Sequence, residues 1–116
     1  MAVGYHIIVD LYGVENSYTE HIQPLKEIFE EAIKLSKMHT LESFFYQFKP
    51  SGASGIILIE ESHFSFHTYP EYKLITFDLY SCGNALLLYG AYLFLAGKIP
   101  NTNISMKLVK RGEEIG

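Results

Sequence analysis

The order of periodic segments in this sequence predicts an α+β fold, an α/β two-layer sandwich in which an antiparallel sheet carries two helices on one face. Along the chain the segments are a strand, a helix, two strands, two more strands, a helix and a strand, so the chain divides into two similar halves. The 116 residues, 48% hydrophobic and 19% charged, suit a single domain over residues 1–116. The other face of such a sheet would stay uncovered, which favours association with a second copy.

The charge and the cysteine content exclude several classes of function. The formal net charge is -4 and the basic residues form no cluster, so no nucleic-acid partner is expected. The one cysteine cannot form an internal disulfide, and no signal-peptide pattern opens the chain, so we expect a cytoplasmic protein. The longest apolar run, residues 85–96, falls short of the roughly 20 residues that span a bilayer, so no membrane partner is expected.

The first strand and the first helix follow from two local patterns. Residues 5–12 alternate, with an apolar face on one side and His6 and Asp10 on the other. Ser17 and Glu20 have the spacing of a capping box, in which each side chain binds an unpaired backbone N–H group of the first turn. A helix with one apolar stripe should therefore begin at this point.

Four further strands are predicted over residues 41–48, 55–60, 62–69 and 74–82. The second of them is almost continuously apolar, as expected of a central strand, and it leads directly to Glu61 and Ser62. In the last of them Cys82 shares a polar face with Asp78 and Tyr80. That face should point away from the helices.

The second helix should begin after Asn84, which can cap it, and continue through Ala96 with Gly97 as its C′ residue. This segment is apolar around its whole circumference. We expect it to be buried on more than one side, by the other helix or at a subunit contact. Residues 104–109 form the last predicted strand.

Chemically versatile residues concentrate in two short runs, ESHFSFHTYPEY at 61–72 and SCG at 81–83. Upstream stand FKPSGASG at 48–55 and an opening Gly4 and His6. In these runs the chain resembles S-adenosylmethionine decarboxylase proenzymes of the short bacterial and archaeal type. The likeness is clear over residues 4–83, and the matching residues are Gly4, His6, Phe48, Pro50, Gly52, Ser54, Gly55, Glu61, Ser62, His67, Pro70, Glu71, Cys82 and Gly83.

The resemblance implies that the bond between Glu61 and Ser62 cuts itself. The Ser62 hydroxyl would attack the preceding carbonyl, and the resulting ester would eliminate and hydrolyse to leave a pyruvoyl group and free ammonia. By the resemblance, Ser54 assists the attack and His67 is the proton acceptor of the elimination. The products would be a chain of residues 1–61 and a chain of residues 62–116.

The mature enzyme of this family decarboxylates S-adenosylmethionine, which supplies aminopropyl groups for spermidine synthesis. The pyruvoyl group made from Ser62 would form a Schiff base with the substrate amine and accept the electrons left by CO2, so pyridoxal phosphate is not needed. Cys82 would be the proton donor, because a thiol with an ordinary pKa near 8.5 is mostly protonated at neutral pH. Phe48 would stack on the adenine and Glu71 would bind the ribose hydroxyls.

The family also implies a homodimer of cleaved protomers, or a higher oligomer, with active sites near the subunit contact. His6 and Asp10 would then border the active site. A metal is not expected. His63 and His67 lie roughly 13 Å apart on one strand face, and no carboxylate or cysteine stands near them in a recognised ligand pattern.

Two other functions stay open. Close relatives with the same cleavage motif act on arginine or ornithine, and this chain departs from the family after Gly83, where residues 84–87 replace an acidic residue and a later Asp-Pro. Tyr69 also replaces the family's Trp. Retained Phe48 and Glu71 favour the nucleoside substrate. The remaining hypothesis is an unprocessed partner subunit without catalysis, against which the complete set of processing residues argues.

Overall fold

A computed structural model describes residues 2–113, and its elements follow the predicted order. The six strands, β1 to β6, are Gly4–Tyr12, Thr40–Gln47, Ala53–Ile59, Ser62–Tyr69, Leu74–Ser81 and Asn103–Arg111. The three α-helices, α1 to α3, are Asn16–Thr19, Leu25–Leu35 and Ala85–Lys98. A 3-10 turn at Pro70–Tyr72 joins β4 to β5.

The strands form one open antiparallel sheet in the order β2-β3-β4-β5-β1-β6. Each half of the chain contributes three strands and one long helix. The predicted α+β sandwich is confirmed, with α2 and α3 packed on one face of the sheet. The short helix α1 was not predicted.

Alternation along the strands separates a helix-facing side from an open face. On β4, for example, Phe64 and Phe66 are fully buried, while His63, Ser65 and His67 lie on the other side. The core consists of the helix-facing residues of the sheet and the inner faces of α2 and α3. Its largest fully buried side chains are Phe29, Phe64, Phe66, Ile7, Leu11, Leu25, Ile57, Ile59, Ile75, Leu79, Leu88 and Leu95.

The predicted helix start at Ser17 is wrong. The cap of α1 is Glu15, which makes no side-chain hydrogen bond, and the long helix α2 begins only at Leu25. Pro24 separates the two helices, because a proline inside a helix lacks the N–H donor and its ring meets the preceding turn. The Gln47 side chain instead binds the loop between them, accepting from Ile22 N at 2.8 Å and donating to Glu20 O at 2.7 Å.

The second helix begins as predicted and ends later. Asn84 is its cap, since its side-chain oxygen accepts a hydrogen bond of 2.8 Å from Leu86 N. Gly97 was expected just past the end, but α3 continues to Lys98 and its C-cap is Ile99. Only part of this apolar helix is buried. Its outer side leaves exposed Leu86, Leu87, Tyr89 and Leu93.

The open face carries apolar side chains around a polar centre. Phe44 and Ile56 are 65% and 52% exposed there. The polar centre lies on β1, β4, β5 and β6 and consists of His6, His63, Ser65, Asp78, Tyr80 and Arg111. Within residues 2–113, no helix has the length and apolarity needed to cross a membrane.

Candidate active site

The bond predicted to be cut lies in the tight turn between β3 and β4. Glu61 has a φ of 58°, a left-handed conformation that non-glycine residues rarely adopt. Ser62 begins β4 on its helix-facing side and is 7% exposed. Its hydroxyl donates a hydrogen bond of 3.0 Å to Ser81 Oγ, directly across the sheet. The predicted nucleophile is therefore held in a buried and hydrogen-bonded position.

The end of β5 contacts both sides of this bond. Cys82 N donates to the carbonyl oxygen of Glu61 at 3.0 Å. That carbonyl is the group the Ser62 hydroxyl would attack, and an N–H donor aimed at it stabilises the negative charge that develops on the oxygen. Gly83 N donates to Ser81 Oγ at 2.9 Å. We call these five residues the Ser62 end of the sheet, namely Glu61, Ser62, Ser81, Cys82 and Gly83.

The Cys82 thiol is exposed and makes a hydrogen bond to the hydroxyl of Tyr80. Its Sγ lies 3.6 Å from the Tyr80 hydroxyl and donates to it. This contact with Cys82 raises the pKa of Tyr80, while the Arg111 guanidinium opposes the rise. Tyr80 stacks on His63, with ring centroids 5.5 Å apart. A protonated hydroxyl in a fixed position therefore stands beside the predicted proton donor.

Ser54 and His67 form a second pair at the opposite end of the strands. Their positions are aligned across β3 and β4, and Ser54 Oγ lies 2.7 Å from His67 Nδ1. Both side chains are on the open face, and the imidazole is exposed. Ser54 Oγ orients the ring, and in the tautomer in which Nδ1–H donates to this oxygen, Nε2 carries no hydrogen and can act as a base on another group.

Phe48 and Pro70, the residue before Glu71, lie next to Gly52, two residues before Ser54. Phe48 N donates to Gly52 O at 2.7 Å. A Cβ added to Gly52 would come within 3.6 Å of Pro70 Cδ and 3.9 Å of Phe48 Cβ, so the three residues are neighbours. Glu71 follows in the 3-10 turn and is exposed. We call Phe48, Ser54, His67 and Glu71 the His67 end of the sheet.

One chain does not bring the two ends together. Ser62 and His67 are five residues apart on β4, about 16 Å at the usual rise of a strand, and they lie on opposite sides of it. The structure thus brings the bond between Glu61 and Ser62 together with the backbone N–H of Cys82, and Ser54 together with His67. It does not place His67 near the bond between Glu61 and Ser62 of the same chain.

Between the two ends, the polar centre of the open face forms a hydrogen-bonded chain. Arg111 Nη1 lies 3.1 Å from His6 Nδ1, and His6 Nε2 lies 2.7 Å from Asp78 Oδ2. The hydroxyl of Ser65 donates to the other oxygen of Asp78. His6 was predicted to border the site, whereas roles for Asp78, Tyr80, Ser81 and Arg111 were not predicted.

No metal was expected because His63 and His67 have no carboxylate or cysteine near them in a recognised ligand pattern, and the fold brings one of these histidines, His63, to the carboxylate of Asp78. Its Oδ2 lies 3.7 Å from His63 Nε2, and the ligand atoms of His6, His63 and Asp78 all fall within 4.8 Å of one another. Because a guanidinium can only donate hydrogen bonds, Nδ1 of His6 accepts one from Arg111. The hydrogen of the neutral His6 ring is then on Nε2, which donates to Asp78. That pairing occupies the nitrogen a metal would need, and it favours a closed hydrogen-bond network.

Each end also borders a cleft. A cleft of about 260 Å³ opens beside Ser62, between Met38, His39 and Asn84. Another of about 300 Å³, mostly apolar, lies on the open face next to His67 and is lined by Phe44, Tyr46 and Ile56. Small-molecule sites are concave and mostly apolar with a few placed polar groups, which describes the second cleft better than the first.

A family model described as S-adenosylmethionine decarboxylase matches residues 5–112. The S-adenosylmethionine decarboxylase proenzyme of Thermoplasma acidophilum is 42% identical over 115 residues, which cover 99% of this chain and 88% of that protein. The proenzyme of Archaeoglobus fulgidus is 35% identical over 97% of this chain and 100% of its own length.

A solved structure is similar over almost the whole fold. The crystal structure of the adenosylmethionine decarboxylase from Aquifex aeolicus superposes with a TM-score of 0.91 and 34% sequence identity. The match covers 96% of this chain and 92% of that one. The similarity therefore includes both ends of the sheet.

Proposed function

The chain belongs to the S-adenosylmethionine decarboxylase family, and on that premise we propose that it is a decarboxylase that releases CO2 from S-adenosylmethionine. The observation that carries this conclusion is the family match over residues 5–112, which is nearly the whole chain. The three relatives described above are all named for S-adenosylmethionine. A decarboxylase for arginine or ornithine is therefore not favoured.

The departure after Gly83 does not support the alternative substrates either. Asn84 has a structural role there as the cap of α3, and Leu88, one turn later, is fully buried against the sheet. The changed residues 84–87 thus begin a helix. A cytoplasmic location stays a prediction from the sequence.

The chain is made as a proenzyme that cuts the bond between Glu61 and Ser62. Three observations support this: the left-handed turn at Glu61, the buried Ser62 hydroxyl, and the Cys82 N–H that binds the Glu61 carbonyl. Attack by Ser62 Oγ gives an ester, and loss of the Cα proton of Ser62 then breaks the ester bond and leaves dehydroalanine. Hydrolysis of dehydroalanine yields a pyruvoyl group and ammonia.

The residues at the Ser62 end fit this pyruvoyl group. Position 62 borders a cleft, and Cys82 directly follows Ser81, the residue opposite position 62 across the sheet. The pyruvoyl group supplies an electron sink for the pair of electrons left by CO2. Cys82 then gives a proton to the Cα of the substrate, and the Tyr80 hydroxyl 3.6 Å from Sγ keeps that thiol in place.

The His67 end serves the bond of a second copy. Ser54 and His67 lie on the open face, which also exposes Phe44, Ile56 and Leu58, and stacked sheets pack about 10 Å apart through such faces. A homodimer of sheets packed through their open faces, with the strands of the two sheets running in opposite directions, would bring the His67 end of one protomer against the open side of the Ser62 end of the other. There His67 has to reach the Cα proton of Ser62 and not its helix-facing hydroxyl. His67 is then the proton acceptor for elimination, with Ser54 as its partner.

Phe48 and Glu71 belong to the same His67 end and bind the nucleoside part of the substrate. Phe48 is 46% exposed and offers a flat face for the adenine, while the exposed Glu71 carboxylate accepts hydrogen bonds from the ribose hydroxyls. In each complete site, one protomer thus supplies the pyruvoyl group from Ser62, and the other supplies the substrate-binding residues Phe48 and Glu71.

The proposed function is tested by intact mass and by CO2 release. We expect the wild-type chain to separate into residues 1–61 and 62–116 and to release labelled CO2 from carboxyl-labelled S-adenosylmethionine. Ser62→Ala should stay uncut and inactive, because it lacks the oxygen that attacks. Arginine and ornithine are assayed in parallel, and release from either of them instead would reject the proposed substrate. A wild-type chain that stays uncut would support a partner subunit without catalysis.

A further inference from the structure

The hydroxyl of Ser81 links the nucleophile to the end of β5. Ser81 is 3% exposed, and its Oγ accepts hydrogen bonds from Ser62 Oγ at 3.0 Å and from Gly83 N at 2.9 Å. A hydroxyl oxygen has two lone pairs, so these two donors use its full accepting capacity. Ser81 was predicted only as part of the SCG run, with no role of its own.

We infer that Ser81 is a positioning residue for self-cleavage, which holds the Ser62 hydroxyl in the rotamer from which it attacks the Glu61 carbonyl. The inference rests on the proposed self-cleavage. It adds a residue that touches the nucleophile in the same chain, unlike Ser54 and His67, which lie at the far end of the sheet.

Two features of the site explain why one hydrogen bond matters. A serine side chain has three staggered rotamers, and the bond to Ser81 selects one of them. The Gly83 N–H in turn fixes the Ser81 oxygen, so the acceptor does not move with the nucleophile. Because Cys82 N, between these two residues, binds the Glu61 carbonyl, a single strand end aligns both the attacking group and the group attacked.

The step itself is an isomerisation. A bond forms between Ser62 Oγ and the carbonyl carbon of Glu61, and the bond from that carbon to the Ser62 nitrogen breaks. The proton that leaves Oγ ends on that nitrogen, which becomes an amine. Ser81 gains and loses nothing overall, which is why we assign it a positioning role.

Ser81→Thr and Ser81→Val test the inference as a matched pair. The two side chains have nearly the same shape, and only threonine keeps the hydroxyl. We expect the threonine chain to cut close to the wild-type rate and the valine chain to cut about 10- to 100-fold more slowly, as expected for a lost hydrogen bond that leaves a buried donor unpaired. The full-length chain is made by pulse-labelled cell-free synthesis, and the appearance of residues 62–116 is followed by mass.

Two controls separate this role from a loss of folding. Ser36 is a comparably buried serine, 4% exposed, that lines the same cleft as Ser62, but its Oγ donates to Ala32 O of α2 and not to the nucleophile. Ser36→Ala should therefore cut at the wild-type rate. Circular dichroism during heating checks that the threonine and valine chains unfold at the same temperature. Ser81→Ala also removes the hydroxyl but adds no bulk, so its cleavage rate tests the same hydrogen bond if the valine side chain is too large for the site.

Equal cleavage rates for Ser81→Thr, Ser81→Val and Ser81→Ala would overturn the inference. A wild-type chain that never cuts would instead reject the proposed self-cleavage. The two failures are therefore distinguishable in one experiment.

Discussion

The two ends of this sheet are built in different ways. At the Ser62 end, a left-handed turn and the end of β5 hold a buried hydroxyl and a carbonyl through contacts within one chain. At the His67 end, a half-buried Ser54 is paired with an exposed His67 on an open sheet face, about 16 Å away along β4. In the proposed self-cleavage, the first end holds both reacting groups within one chain, whereas the proposed base of the second end has no group of its own chain to act on.

This difference indicates that the two ends would serve different steps of the proposed maturation. Attack on the Glu61 carbonyl can be prepared in a single folded chain, because both reacting groups and the N–H donor come from adjacent strands. In the proposed maturation, the later proton transfers need groups on the open face, so they would depend on what covers that face. A proenzyme built this way would complete its maturation only after assembly.

The largest expected effect is that of His67→Ala, which should separate the attack by Ser62 from the elimination that follows it. His67→Ala should leave the attack possible and stop the elimination, so no pyruvoyl forms, the ester accumulates and CO2 release is lost. Neutral hydroxylamine, which cleaves esters, should cut this variant between residues 61 and 62, and mass should show the cut. The exposed His21 gives a matched control, since His21→Ala should mature normally. Normal maturation of His67→Ala would remove the His67 end from the account.

The next effect concerns turnover alone. Cys82→Ala keeps the backbone N–H that binds Glu61, so cleavage should continue, while CO2 release per cleaved chain should fall by about 10²- to 10⁴-fold for loss of an acid. Mass and CO2 release are measured on the same sample. If cleavage disappeared as well, the thiol itself would have a part in maturation.

The smallest effect tests the group beside the thiol. Tyr80→Phe keeps the ring that stacks on His63 and removes the hydroxyl that holds Cys82 Sγ, so turnover should drop by only about fivefold, the value of one hydrogen bond. Because the pKa of Tyr80 is raised, its hydroxyl stays protonated as the pH passes through the range in which a free tyrosine ionises. Absorbance at high pH should therefore show a late-ionising tyrosine in the wild type only. An unchanged turnover would show that the thiol needs no support.

Local patterns in the sequence were enough to predict most of the fold. Alternation in 62–69 and 74–82 correctly assigned the helix-facing and open sides, and Asn84 was correctly chosen as a cap. The capping box at Ser17 failed because Pro24 and the Gln47 side chain decide where α2 begins. Gly97 failed as a helix end because it does not adopt the left-handed conformation of a C′ glycine, and α3 continues to Lys98.

The site was harder to predict because its contacts join distant residues. His6 meets Asp78, 72 residues away, and no local pattern indicates that pair. The contact between Ser62 and Ser81 could have been predicted from the sequence, since a hairpin that turns at Pro70–Tyr72 places these two residues opposite each other. The separation of Ser62 from His67 also follows from strand spacing alone, but the location of Ser54 beside His67 needed the pairing of β3 with β4.

Co-expression of Ser62→Ala with His67→Ala tests most directly whether the active site draws on two copies. Neither variant should mature alone, because one lacks the nucleophile and the other lacks the base. In a mixed dimer, one site combines the intact Ser62 of one chain with the intact His67 of the other. About a quarter of the wild-type activity should therefore return, since half of the dimers are mixed and each has one complete site. Mass should show that only the chains carrying His67→Ala have been cut. If both variants fold and associate but the mixture stays uncut and inactive, the two ends do not meet across a subunit contact and the account is wrong.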